Sequence, residues 1–95
     1  MAAYVFANLD VQDPAAFEEY RRRVPASIAA HGGRYLARGG KAEVLEGEFD
    51  ARRLIILEFP SIEAIRKWYD SPEYQELIRL RQRGARTLLI TIEGV

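Results

Sequence analysis

An α+β fold is predicted: a four-stranded antiparallel sheet carrying its helices on one face. Three observations predict it. Asp13-Pro14 and Ser71-Pro72 each set a capping side chain before a proline, the pairing that opens a helix. The run Arg53-Leu54-Ile55-Ile56-Leu57-Glu58-Phe59 is dense in strand formers and is stopped by Pro60. Around these anchors the order reads strand, helix, strand, strand, helix pair, strand.

The elements follow in turn. Tyr4 to Leu9 is short, apolar and rich in strand formers, which predicts the first strand. After Asp13-Pro14, the residues Phe17, Tyr20, Val24 and Ile28 recur at three- and four-residue steps and make one apolar stripe. Pro25 interrupts this helix and is expected to kink it. His31-Gly32-Gly33 ends it, with glycine free to take the left-handed stop conformation and His31 suited to the negative end of the helix dipole. Arg34 to Arg38 and Ala42 to Glu46 read as two pieces of the second strand, broken at Gly39-Gly40. Arg53 to Phe59 is the third strand. Ser61 caps a helix bearing Ile62, Ile65, Trp68 and Tyr69, and Ser71-Pro72 opens another bearing Tyr74, Leu77, Ile78 and Arg81. Gly84 ends that helix, and Thr87 to Glu93 is the fourth strand. The arrangement is the ferredoxin-like βαββαβ order.

The strands carry a further implication. A sheet with one wet face alternates apolar and polar residues. Leu54 to Leu57 and Leu88 to Ile90 do not alternate, so both faces seek burial while the helices cover only one. A homodimer packed through the open sheet face, forming a dimeric α/β barrel, resolves this.

Ninety-five residues predict one domain spanning 1–95. Fourteen basic residues balance fourteen acidic ones, which argues against a general binder of nucleic acid or anionic membrane. The chain has no cysteine and one histidine, so disulfides and thiolate metal sites are excluded and no metal-ligand spacing is evident. No apolar run approaches the roughly 20 residues a bilayer requires. A cytoplasmic protein is expected. The strand Tyr4 to Leu9 has the look of an RNA-recognition strand, but Val5 stands where the stacking aromatic belongs and Arg53 to Phe59 is aliphatic. No RNA binding is expected.

The residues that carry chemistry cluster from Trp68 to Arg81. Trp68, Tyr69 and Tyr74 present large surfaces with polar tips, which suit either a ligand pocket or a core. Arg38 offers a planar fork for a ligand carboxylate, or for an ion pair with Glu58 or Glu46. Arg81 is offset from the outward flank of Arg79, Arg83 and Arg86, which turns it either inward toward a pocket or across a dimer. His31 reads as a helix-end cation, or as a general acid or base at a pocket mouth. Ser71 reads as a cap rather than a nucleophile.

A set of motifs runs almost end to end: Asp13-Pro14 with Tyr20, Val24-Pro25, His31-Gly32-Gly33-Arg34-Tyr35, Arg38-Gly39-Gly40 and Glu46-Gly47. It continues through Glu58-Phe59-Pro60-Ser61, Trp68-Tyr69 with Ser71-Pro72-Glu73-Tyr74, Leu80-Arg81 and Glu93-Gly94-Val95. On these the chain resembles the domain-of-unknown-function 1330 family, within the dimeric α/β-barrel superfamily. The resemblance implies the fold and the dimer; it implies no reaction. By superfamily analogy the expectation is a small-molecule site, in an enzyme of monooxygenase or isomerase type that acts on a small anionic substrate without metal or bound organic cofactor. In that reading His31 and Tyr69 are the catalytic candidates, and Arg38, Glu58, Trp68, Tyr74 and Arg81 bind the ligand. The competing expectation is a non-catalytic dimeric module with a packed interior. The first reading predicts a cavity of a few hundred Å³.

Overall fold

The computed structural model describes residues 1–95. Its elements are β1 (Ala3–Val11), α1 (Pro14–Ala30), β2 (Arg34–Arg38), β3 (Arg53–Phe59), α2 (Ile62–Asp70), α3 (Pro72–Gly84) and β4 (Ala85–Glu93). The strands form one antiparallel sheet in the order β2-β3-β1-β4, the ferredoxin-like order expected.

The caps work as their residue types dictate. The Asp13 carboxylate accepts from the Ala16 N–H at 3.2 Å, and the Ser61 hydroxyl from the Ala64 N–H at 3.1 Å. Ser71 serves two helices at once: its hydroxyl donates to the Trp68 carbonyl at 2.8 Å and accepts from the Tyr74 N–H at 3.1 Å. At the end of α1, Gly32 takes φ +79° and His31 Nδ1 bonds the Ser27 carbonyl at 3.0 Å. The stripe Phe17, Tyr20, Val24 and Ile28 is buried against Val5, Leu9, Leu57 and Phe59 of the sheet and Trp68, Tyr74 and Leu77 of the other helices. The opposite side of α1 holds exposed ion pairs, Arg21–Glu18 and Arg23–Glu19.

The register places Val5, Ala7 and Leu9 of β1 on the helix side with Leu57, Ile55, Leu89 and Thr87. Phe6 and Asn8 turn to the other face with Leu54, Ile56, Leu88 and Ile90. No helix covers that face, and Leu88, Ile90 and Ile92 remain 46%, 53% and 65% exposed.

Three expectations are corrected. Ala42–Glu46 is not a strand. The ladder stops at Gly39, whose N–H still reaches the Leu54 carbonyl at 2.8 Å but whose φ of +69° turns the chain out of the sheet. The irregularity in β2 lies at Leu36, where the register shifts between Tyr35 and Ala37, rather than at Gly39-Gly40. That bulge separates Arg34 from Arg38: Arg34 faces Glu58 on the open face, while Arg38 stands opposite Ile55 on the helix side. The fourth strand also starts earlier than Thr87, at Ala85.

Residues 40–52 form an exposed excursion between β2 and β3. Its return limb is tied to the open sheet face. Asn8 donates to the Asp50 carbonyl and accepts from the Arg52 N–H, both at 2.9 Å, and the Phe49 ring lies 6.2 Å from Phe6. No helix is long and apolar enough to cross a membrane.

Candidate functional site

The interior between helices and sheet contains a polar cluster. Tyr74 and Arg81 lie seven residues apart on α3, two turns, so both point at the sheet. Tyr20 reaches the same place from α1. Arg81 Nη1 donates to Tyr74 Oη at 2.9 Å, and the Tyr20 and Tyr74 hydroxyls bond each other at 2.9 Å. Tyr74 is fully buried, and Arg81 is only 6% exposed. The Arg81 guanidinium lies 5.8 Å from the centre of the Tyr20 ring.

Counting donors and acceptors shows what the cluster lacks. No carboxylate approaches Arg81 within ion-pair distance, and its buried Nε–H has no partner. Two phenols share one hydrogen bond, so one hydroxyl proton is spare whichever donates. The site therefore offers a guanidinium N–H and a phenol O–H with nothing to accept them. Burial, reinforced by the neighbouring Tyr20, pushes the Tyr74 phenol far above its ordinary value, with Arg81 pulling the other way. Tyr74 is thus a donor and not a base. Such a set is a receptor for an anion.

These groups line a narrow cavity of about 30 Å³ with Tyr35, Leu9, Ile55, Trp68 and Leu89. That holds about two waters, not a metabolite, and falls short of the few hundred Å³ expected. Trp68 and Leu89 are also walls of a second, open groove of about 210 Å³, completed by Val5, Ile65, Arg66, Tyr69, Ile90 and Thr91. The two spaces lie on either side of the same side chains. Trp68 stacks on Tyr74 at 4.1 Å, and its Nε1–H is satisfied by the Ser27 hydroxyl at 3.2 Å, so it is a fixed wall. Tyr69 packs edge-on to Trp68, at 6.3 Å, and lines the groove.

Trp68, Tyr69, Tyr74 and Arg81 are therefore brought together. Arg38 stands nearby, its guanidinium 4.5 Å above the Tyr35 ring that lines the cavity. Burial raises the Tyr35 phenol, while Arg38 and Arg53 draw it back. Glu58 and His31 lie elsewhere. Of the two carboxylates offered to Arg38, Glu58 pairs instead with Arg34 at 2.7 Å, because the register sets Arg34 directly opposite it, and the Leu36 bulge turns Arg38 to the other face. His31 is occupied at the end of α1 and lines neither space. The sequence reading missed Tyr20 and Tyr35 as site residues. Their signal was a polar-tipped aromatic on a stripe or strand already assigned to the interior. Arg53 Nε and Thr87 Oγ1, which flank Leu9 across the sheet, are likewise buried without partners.

Known proteins share this fold. No curated protein matches the sequence. Among solved structures, the RPA0582 protein of unknown function from Rhodopseudomonas palustris is similar, at 20% identity and TM-score 0.79 over 99% of this chain and 82% of that one. SnoaB, a cofactor-independent oxygenase from Streptomyces nogalater, matches at 15% identity and TM-score 0.66 over 99% and 93%. Rv0793 from Mycobacterium tuberculosis matches at 17% identity and TM-score 0.60 over 100% and 96%. At these identities the likeness is one of fold. The family model described as domain of unknown function DUF1330 matches residues 2–95, and the chain belongs to that family.

Proposed function

We propose that this protein binds a small organic anion with an apolar body, whose charged end meets Arg81 and the Tyr20–Tyr74 hydroxyls. The body lies in the groove against Trp68, Tyr69 and Leu89, and Arg38 guides the anion at the rim beside Tyr35. The observation that carries this reading is Arg81: a guanidinium withdrawn from water with a free N–H and no carboxylate. A charge in that position is costly unless something pairs with it. Entry requires the side chains between groove and cavity, chiefly Leu89, to shift.

The reaction class follows from the same inventory. The cluster has donors for an oxyanion and no base, so the substrate arrives already ionised or with a weakly held proton. Donors aimed at developing negative charge lower the barrier to enolate or phenolate chemistry. The fold shared with SnoaB, a cofactor-independent oxygenase, supports such a use here, an oxygenase in which the substrate's own anion gives up the electrons. Neither His31 nor Glu58 has a part in this scheme. The assembled form is a homodimer through the open sheet face, supported by the apolar patch of Phe6, Ile56, Leu88, Ile90 and Ile92. A second reading, a non-catalytic dimeric module, draws support from the small enclosed volume.

Paired probes separate the two readings. 1-Naphthoate and the neutral 1-naphthalenemethanol share a body and differ in charge. The wild type should prefer the anion by about 10- to 100-fold, the worth of a charge-assisted hydrogen bond or two. Arg81→Met should erase the preference. Equal binding of both probes by the wild type contradicts an anion receptor, and no binding of either supports the non-catalytic module instead.

A further inference from the structure

We infer that the ligand is a dianion: beside the charged end received by Arg81, it carries a second acid group held by Arg53 and Arg38 at the β2–β3 side of the cavity. This rests on the reading of Arg81 above and adds the charge class of the ligand.

Three buried side-chain atoms have no hydrogen-bond partner: Arg53 Nε, Arg81 Nε and Thr87 Oγ1. Buried polar atoms are nearly always satisfied, so their placement is informative. All three gather around one residue. Arg53 and Thr87 are the cross-strand neighbours of Leu9, one on each side, and Leu9 and Arg81 line the same cavity. The turn after β2 is shaped to leave Arg53 there. Gly39 packs against its side chain, and a Cβ at position 39 would stand 3.2 Å from Arg53 Nε and 3.3 Å from its Cγ. The φ of +69° at Gly39 adds a second reason for glycine.

Arg38 brings a third guanidinium to the same side of the sheet. It lies 4.5 Å above the Tyr35 ring, and Tyr35 is a wall of the cavity. Burial raises the Tyr35 phenol while Arg38 and Arg53 both lower it, so both charges bear on that wall. None of Arg38, Arg53 and Arg81 has a carboxylate within ion-pair distance. The neighbouring acids are engaged or turned away. Asp10 shares an open depression with Arg53 but stands opposite Arg86 on the open face. Glu58 pairs with Arg34, and Asp50 pairs with Arg52. Three positive charges therefore meet on the helix side of the sheet with no counter-charge from the protein. A ligand with one carboxylate offsets one of them. A second acid group answers the Arg53 and Arg38 forks, with the Thr87 hydroxyl as a further donor.

The test compares 1-naphthoate with the naphthalene-1,3-, 1,4- and 1,5-dicarboxylates, which add a second carboxylate to the same body at three positions. Affinities are measured by calorimetry at pH 8, where both acids are ionised. The wild type should bind at least one dicarboxylate more tightly than 1-naphthoate by about tenfold or more, the worth of a charge-assisted hydrogen bond. Arg53→Met should lose that gain and bind 1-naphthoate as the wild type does, which also reports that the site is intact. Arg53→Gln, which keeps a polar end under Gly39, should behave alike and serves where the methionine variant does not fold. A wild type that binds 1-naphthoate but gains from no dicarboxylate overturns the second acid group and leaves the reading of Arg81 standing. A gain that survives in both variants overturns the role of Arg53. Loss of 1-naphthoate binding in both variants makes Arg53 a residue of the fold and overturns the assignment. A wild type that binds none of the four probes overturns both readings.

Discussion

Arg81 and Tyr74 illustrate how one side chain's problem becomes another's role. Tyr74 is the only protein acceptor for the buried guanidinium, through Nη1. Tyr74→Phe removes that acceptor and leaves Arg81 with no protein hydrogen bond, so chemical unfolding should show a loss of about 1–3 kcal/mol. Tyr20→Phe deletes a hydroxyl whose hydrogen bond goes to Tyr74 and should cost less, about 1 kcal/mol. The same phenol makes stability depend on alkaline pH. The folded chain holds the Tyr74 proton more tightly than the unfolded chain does. That stabilisation is whole below the unfolded tyrosine value of about 10 and is lost as pH rises beyond it. Urea midpoints should hold steady to about pH 9 and fall above pH 10. Tyr74→Phe should shrink the fall, the remainder coming from Tyr35, which burial also raises. A midpoint indifferent to pH across that range contradicts the buried-phenol assignment.

At the level of elements, Ser71 bears the most on the site. It ends α2 and begins α3, tying the backbone of Trp68 to that of Tyr74. Ser71→Ala should lower stability by about 1–2 kcal/mol in equilibrium unfolding and broaden the Trp68 fluorescence band. The elements themselves were largely legible, because their signals are local. Asp13-Pro14, Ser61 and Ser71-Pro72 cap helices by contacts three residues long, and the stripe from Phe17 to Ile28 needs only the helical period. What failed depends on residues distant in sequence. The register of β2 against β3 decides that Arg34, not Arg38, meets Glu58, and the bulge at Leu36 then decides which face Arg38 takes. Ala42–Glu46 has strand composition, but composition alone does not give a segment a neighbouring strand to pair with. The site was legible in its α2–α3 half, where Trp68, Tyr69, Tyr74 and Arg81 follow one another along the chain. Its other half, Tyr20 and Tyr35, reaches the cavity only through tertiary packing.

Taken whole, the chain leaves two debts unsettled within one subunit: an apolar sheet face and an unpaired buried charge. The first belongs to assembly. Ile90→Glu, at a half-exposed position of the edge strand β4 on the open face, should convert the protein to monomers in sedimentation while leaving helix content intact. A dimer that tolerates this glutamate uses some other surface. The second belongs to function, and it sets stability against binding. A methionine reproduces the stem of the arginine out to about its Nε without the charge, and replacing a poorly compensated buried ion by an apolar side chain is often stabilising. The most direct measurement is urea unfolding of wild type and Arg81→Met, each with and without 1-naphthoate. The account predicts that Arg81→Met is more stable than wild type by about 1–2 kcal/mol without ligand and gains nothing from naphthoate, while wild type is stabilised by it. An Arg81→Met protein that is less stable than wild type, yet gains as much from naphthoate, would show that the guanidinium is there to hold the fold and not to receive an anion.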